Sequence, residues 1–386
     1  MQSTGSEATP TIDYEAGFTP GNHGPGDPGG PRGPREPDGG PMRYVPPRPL
    51  RMRFTGDGWE YFGIWSVNVL LSVLTLGIYS AWAKVRTMRF FYHHTRLDDA
   101  GFDYHGSPTA ILKGRAIVFG VALVAQVAGA AHPALAGLAT IAVAAIFPLL
   151  LVRSLRFRMA NTSYRGLRFA FTGQDAGGYK VFMLWPLLAA VSLYTLAPLA
   201  HQRLKAYQHN HARFGTTPFS FDAGASQFYG LYLRTFGLSL LAGIVAAAAA
   251  GVLHLLAGRP GGIGGGVILS FGTMLVFFVL MAGVGAYFMA GAQNLVWNHT
   301  KLGPHAFSST VKAGPLCAIY ATNAIAVLLT LGLFLPFARV RATRYRVESM
   351  TLLAAQPLDT FVAGENQQVA ALGDAAADWY DIDIAL

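Results

Sequence analysis

Residues 75–91, TLGIYSAWAKVRTMRFF, run an apolar stretch straight into an aromatic and basic one, with Trp82 followed by Lys84, Arg86 and Arg89. Residues 330–346, TLGLFLPFARVRATRYR, repeat the pattern near the C-terminus. Aligning Thr75 with Thr330 also pairs Asn68 with Asn323, Lys84 with Arg339, Arg86 with Arg341, Arg89 with Arg344 and Phe90 with Tyr345. A weaker copy at residues 194–215, YTLAPLAHQRLKAYQHNHARFG, lies between them and puts Trp185 where the asparagine stood. One element therefore recurs three times: an apolar span ending in a collar of cations and aromatics. That is the composition of a membrane edge.

Composition agrees. Of 386 residues, 52% are hydrophobic and only 13% charged, against about 25% charged in a soluble domain. Several apolar stretches reach the roughly 18 residues needed to cross a hydrocarbon core of about 30 Å. The net charge of +9 is unevenly spread: both ends of the chain are acidic, and the excess of Lys and Arg lies beside the apolar spans. Headgroup attraction and the positive-inside rule account for that placement better than nucleic acid does. The single cysteine, Cys317, sits in an apolar stretch and leaves no intrachain disulfide or cysteine metal site. The N-terminus, MQSTGSEATPTIDYEAG, has neither a basic start nor an apolar core, so no cleavable signal peptide is expected.

Residues 1–50 read as a disordered Pro/Gly-rich arm in which Pro25, Pro28, Pro31, Pro34 and Pro37 fall along one edge of a polyproline II helix, a candidate dock for a proline-binding partner. Residues 351–386 read as an acidic disordered tail. Between them, residues 51–350 form a membrane domain with seven candidate spans near 61–82, 115–131, 134–152, 179–200, 235–257, 264–290 and 315–338. His132-Pro133 and the glycine-rich GRPGGIGGG make short turns, so the second and third spans, and the fifth and sixth, are helical hairpins.

A second recurring element follows each basic run. HHTRLDDAGFDYHG (93–106), ANTSYRGLRFAFTG (160–173), HARFGTTPFSFDAG (211–224) and NHTKLGPHAFSST (298–310) share a polar cap and a turn. The first three add alternating aromatics, Phe102/Tyr104, Phe169/Phe171 and Phe219/Phe221. Period-two aromatics after a turn indicate a short strand or extended segment, and RMRFTGDGWEYF resembles the end of such a unit.

The resulting expectation is an all-α polytopic membrane protein of about seven transmembrane helices in a repeated pattern of one span plus a hairpin, with short aromatic extended segments or β-hairpins at the helix ends. Three crossings per unit would make residues 59–178 and 179–314 inverted repeats, with a final single span at 315–350. The competing account makes the first, fourth and seventh spans re-entrant, so that every basic edge faces the cytoplasm. Their 22-residue length favours crossings.

The segment YFGIWSVNVLLSVLTLGIYSAWAKVRTMRFFYHHT, with the turn-plus-aromatic units after it, resembles the YjgN family of bacterial inner-membrane proteins, a domain of unknown function, over roughly residues 52–350. The resemblance implies a multi-pass protein of the bacterial inner membrane, with no catalytic residues to carry over. His94 stands where Asn161 stands in the next unit, which favours a capping role for that position.

Asn68, Asn323, Gln126 and His254 are candidates for helix–helix contacts or a polar path, because an amide in hydrocarbon needs a hydrogen-bond partner. Lys84, Arg86, Arg89, Arg153, Arg156, Arg158, Arg203, Lys205, Arg339, Arg341 and Arg344 are candidates for binding anionic lipid or ligand. Trp82, Phe90, Tyr207 and Tyr345 are candidate interfacial anchors. His93, His94, His209, His211 and His299 recur beside the same element without carboxylates at metal-ligand spacing, so no metal and no cofactor is expected. No paired carboxylates or nucleophile elbow mark an enzyme. Inverted repeats and buried amides favour a transporter or channel for an undefined solute. The alternative is an anionic-lipid-binding or scaffolding membrane protein.

Overall fold

The turn-plus-aromatic units form β-hairpins, and their pairing decides the architecture. The computed structural model describes residues 47–257 and 262–369; residues 1–46 of the Pro/Gly-rich arm and residues 370–386 of the acidic tail lie outside them, and Arg48–Leu50, read as part of the arm, instead open the first strand. Ten short strands close an antiparallel barrel. They are β1 (Arg48–Phe54), β2 (Thr95–Leu97), β3 (Ala100–Tyr104), β4 (Thr162–Tyr164), β5 (Leu167–Phe171), β6 (Ala212–Phe214), β7 (Thr217–Phe221), β8 (Thr300–Leu302), β9 (His305–Ser309) and β10 (Met350–Ala354). Two-residue turns join β2 to β3, β4 to β5, β6 to β7 and β8 to β9 at one rim. The first turn residues Asp98, Arg165, Gly215 and Gly303 all have positive φ, the hairpin geometry that matches strand twist.

At the opposite rim each odd strand continues into a helical hairpin that returns to the next even strand. The hairpins are α1 (Gly58–Leu74) with α2 (Ser80–His94), α3 (Pro108–Ala131) with α4 (Pro133–Ala160), α5 (175–191) with α6 (Ala197–Asn210), α7 (Ala225–Ala257) with α8 (Gly262–Asn298), and α9 (Ala313–Leu329) with α10 (Leu335–Glu348). Helix α5 contains a π-helical turn at Lys180–Leu184.

The barrel overturns the all-α expectation of about seven transmembrane helices. Strand register shows why: Phe54 pairs with Thr95, Tyr104 with Thr162, Phe171 with Ala212, Phe221 with Thr300 and Ser309 with Met350. Paired residues are neighbours, so every helical hairpin leaves and re-enters the same rim. Both halves of the chain therefore point the same way, and the inverted-repeat arrangement is also corrected.

Among the described residues, four helices are long and apolar enough to cross a membrane: Pro108–Ala131, Pro133–Ala160, Ala225–Leu255 and Leu269–Asn298. The first, fourth and seventh expected spans are instead the three short hairpins. The 22-residue stretch counted from residue 61 runs through a helix end. α1 has 17 residues, about 26 Å, and stops at a left-handed turn where Leu76 and Gly77 have φ of 49° and 90°. The Gly77 N–H returns to Ser72 O at 2.7 Å, as Gly332 does to Val327 O at 2.8 Å and Tyr194 to Ala189 O at 2.7 Å. The hydroxyls of Thr75, Ser192 and Thr330 then accept from the N–H four residues on, starting the second helix. The TLG that opens the quoted motif is thus a helix stop and restart.

Inside the barrel, alternate residues of every strand point inward. Phe102, Phe169, Phe219 and Phe307 stack in sequence with centroids 6.2–6.3 Å apart, and Met52 packs in the same core. A second layer holds Leu97, Tyr164, Phe214, Leu302 and Leu352. The residual cavity is about 50 Å³ and is lined by these apolar and aromatic side chains, a void that stays dry. The lumen is a packed core. Outward positions on the same strands carry exposed Arg51, Arg53, Arg96, Arg168, Arg213 and Lys301.

The segment assigned to the tail begins as structure: residues 350–354 are β10, and residues 358–369 form a helix, α11, over the turn-bearing rim. Leu358, Phe361 and Val362 enter the barrel core. Asp359 pairs with Arg165, which also reaches Asp98 at 3.1 Å. Glu365 accepts from the hydroxyls of Thr216 and Thr217 and from their N–H groups. Partial burial works to raise the Glu365 carboxyl, but these bonds outweigh it and hold the carboxyl below its ordinary value.

Candidate functional site

The rim that faces the helical hairpins is a fivefold joint. The residue after each odd strand donates its N–H to the carbonyl closing the neighbouring helix: Thr55 to His94, His105 to Asn161, Thr172 to His211, Asp222 to His299 and Thr310 to Ser349, all at 2.8–3.1 Å. The predicted capping position recurs here. Asn161, His211, His299 and Ser349 each hydrogen-bond through the side chain to the carbonyl four residues back. His94 departs from the pattern and lies 3.3 Å from Glu60. His93 is 3.7 Å from Asp103, so two of the five histidines do meet carboxylates that sequence spacing had not placed beside them.

One turn inside this joint, a side chain from the second helix of each hairpin donates to a strand-exit carbonyl. Arg89 reaches Tyr104 O at 3.2 Å, Arg156 reaches Gly173 O at 2.7 Å and Arg344 reaches Gly56 O at 2.8 Å. Asn294 reaches Val311 O at 2.9 Å and Gln202 reaches Ala223 O at 3.1 Å. Asn294 stands six residues before its strand, as the three arginines do. Gln202 stands a turn earlier, because the matching residue there is Ala206. Three collar arginines thus tie helices to the barrel. Gln202 and Asn294 do the same work, although neither carries the positive charge that marks the collar in the sequence. The signal available was their offset from the strand.

Other collar cations bind locally. Arg86 donates to Tyr79 Oη at 3.0 Å, Arg339 to Tyr61 Oη at 3.1 Å and Arg341 to Asn323 Oδ1 at 2.8 Å. Arg339 also lies over Phe91 at 4.8 Å, and Arg203 over Trp185 at 5.9 Å. Lys205 is half-buried with Nζ 3.4 Å from Gln208, whereas Arg153 and Arg158 are exposed on α4. The anchors differ among themselves. Trp82 stacks on Tyr79 and Tyr345 Oη bonds the Lys312 backbone. Phe90 and Tyr207 are buried against Phe54 and Tyr61, and against Phe171 and Val152, respectively.

The candidate polar residues are not gathered. Gln126 and His254 are exposed on α3 and α7. Asn68 and Asn323 are buried within their own hairpins, each donating across to a backbone carbonyl, Ala83 O at 3.4 Å and Ala338 O at 3.0 Å.

A model of the family described as a bacterial protein of unknown function (DUF898) matches residues 49–379. The chain belongs to this family. Proteins named inner membrane protein YjgN are among its relatives. The one from Salmonella typhimurium is 32% identical over 142 residues, 36% of each chain. Those from Escherichia coli O157:H7 and Escherichia coli strain K12 are 28% identical over 154 residues, 40% of this chain and 39% of theirs. The chain therefore matches well under half the length of these relatives. No solved structure matches. With four apolar helices long enough to span, this DUF898 protein is a multi-pass protein of the bacterial inner membrane.

Proposed function

We propose that this protein is a non-catalytic, anionic-lipid-binding membrane scaffold that holds a sealed barrel against the cytoplasmic face of the membrane. One observation carries the reading: all five helical hairpins spring from one rim, so every basic collar lies at the same interface. No Lys or Arg falls within 54–83, 116–152, 235–257, 262–300 or 313–338. Arg259, between α7 and α8 in the sequence, lies outside the described residues. By the positive-inside rule the barrel side is cytoplasmic, where basic residues also meet anionic headgroups. Transport is less well supported, because the inverted repeats that suggested it are absent and the barrel lumen is filled. Native mass spectrometry of the protein released from nanodiscs of mixed anionic and zwitterionic lipid tests the proposal. Anionic lipid should be retained above its bulk fraction; retention at the bulk fraction would overturn it.

A further inference from the structure

The first and last short hairpins carry the same asparagine and arginine but use them differently. In α9–α10 the Asn323 amide is closed on both sides, since Oδ1 accepts from Arg341. In α1–α2 the Asn68 Oδ1 is buried without a hydrogen-bond partner, although the residue is only 5% exposed. Its counterpart donor, Arg86, has turned to Tyr79. An acceptor left unmet in this way is expensive, and a turn of the side chain toward a donor would relieve the cost.

Asn68 lines a groove of about 670 Å³ between α1, α2, α3 and α10, within the size range of ligand sites. Lys84, Arg115 and Arg339 line it too, and no carboxylate does. Arg339 and Arg115 are held in place by Tyr61 and Ser80. Among the described residues Lys84 makes no ion pair. Trp65 and Val73 continue the groove onto the apolar helix surface, where Val73 is 68% exposed.

We propose that this groove is a specific site for an anionic glycerophospholipid with a hydroxylated headgroup, an assignment that rests on the lipid-binding reading above. Three cations without a counter-charge call for a phosphate. The unmet Asn68 oxygen is closed to solvent as it stands, and a turn of the side chain into the groove that the residue lines would let it take a hydroxyl donor. The open apolar end beside Trp65 and Val73 calls for an acyl chain. An ethanolamine headgroup would bring an ammonium against Lys84 and Arg115, and a soluble phosphate would leave the apolar end empty.

The full chain in phosphatidylcholine nanodiscs tests this, with phosphatidylglycerol or phosphatidylethanolamine brominated on the acyl chains. The Trp65 signal is isolated by difference from Trp65→Phe. Brominated phosphatidylglycerol should quench Trp65 selectively. Lys84→Met should weaken that selectivity about tenfold and Asn68→Leu about fivefold, the scale of a lost charged or neutral hydrogen bond. Asn323→Leu, the matched control, should leave it unchanged. Equal quenching by the two lipids, selectivity surviving in both groove variants, or displacement by soluble glycerol 3-phosphate as strong as by lipid would overturn the site. Thermal unfolding of each variant separates lost binding from lost fold. If selectivity at Trp65 fails while anionic lipid is still retained above its bulk fraction, only the groove assignment falls. If retention itself is at the bulk fraction, the lipid-binding function falls with it.

Discussion

The barrel and the helical hairpins share one fivefold recurrence but answer to different solvents. In the barrel, burial follows strand parity: Phe214 is 2% exposed and packs against Phe169, Tyr164 and Phe361. In the hairpins, large apolar residues face outward, with Leu76 95% and Leu331 94% exposed. Water drives apolar surface together at about 25 cal/mol per Å², whereas lipid tails are as apolar as leucine and give helices no such push. The comparison teaches that one chain can be held on one side by hydrophobic burial and on the other by hydrogen-bonded joints such as Arg344 to Gly56 and Asn323 to Ala338.

The largest effect that could break this comparison is all-or-none. In a Cys317→Ala background, Ala134→Cys at the tip of a long hairpin should react with an impermeant maleimide in intact spheroplasts. Leu76→Cys in a short hairpin and Ala306→Cys on the barrel should stay unlabelled from outside. External labelling of residue 76 would restore a crossing at the first short hairpin.

Next in size, Phe214→Ala should destabilise the barrel by about 3–5 kcal/mol, transfer loss plus cavity. Leu76→Ala, at an exposed tip, should change stability by no more than about 0.5 kcal/mol. Denaturant titration read by hydrogen exchange in β6 checks the contrast; similar costs for the two would erase it.

A smaller effect concerns the docking of α11. The Glu365 carboxyl is held below its ordinary value, so its contribution is present above the unfolded-state value and disappears as pH falls through the lowered folded value. Glu365→Gln should loosen α11 by about 1.5–3 kcal/mol at neutral pH, seen as faster exchange across residues 358–369. Acidification should bring the wild type toward the variant. Loosening on alkalinisation instead would contradict the assignment.

The smallest effect should come from Asn323→Leu, about 0.6 kcal/mol in keeping with hydrogen bonds between membrane helices. Asn68→Leu should cost less still, because only one side of that amide is bonded. Steric-trapping or detergent-unfolding measurements would sharpen the difference, and a larger loss at residue 68 would reverse it.

Much of the local structure was legible. Phe102/Tyr104, Phe169/Phe171 and Phe219/Phe221 announced strands because a period of two needs only neighbours to be seen. The signal at residues 75–77 and 330–332 was also present, since glycine is a common helix stop. Hydropathy averaging ran through it and counted two short helices as one span. The candidate groove was hard to read, because both copies write the same asparagine and arginine. The difference stands in the sequence as Tyr79 against Phe334, since only Tyr79 has a hydroxyl to draw Arg86 away, but which acceptor an arginine takes is settled in three dimensions.

By itself the sequence determined that this chain lives in a membrane, that a cationic collar recurs, and which residues alternate along each strand. These are properties of composition and short-range periodicity. The tertiary structure alone decided which rim the helical hairpins share and the closure of the barrel. Leu50 pairs with Leu352 across some three hundred residues, and antiparallel pairing of Phe54 with Thr95 returns α2 to the rim that α1 left. Such long-range hydrogen bonding has no local signature. It still dictates that every helical hairpin begins and ends on one side.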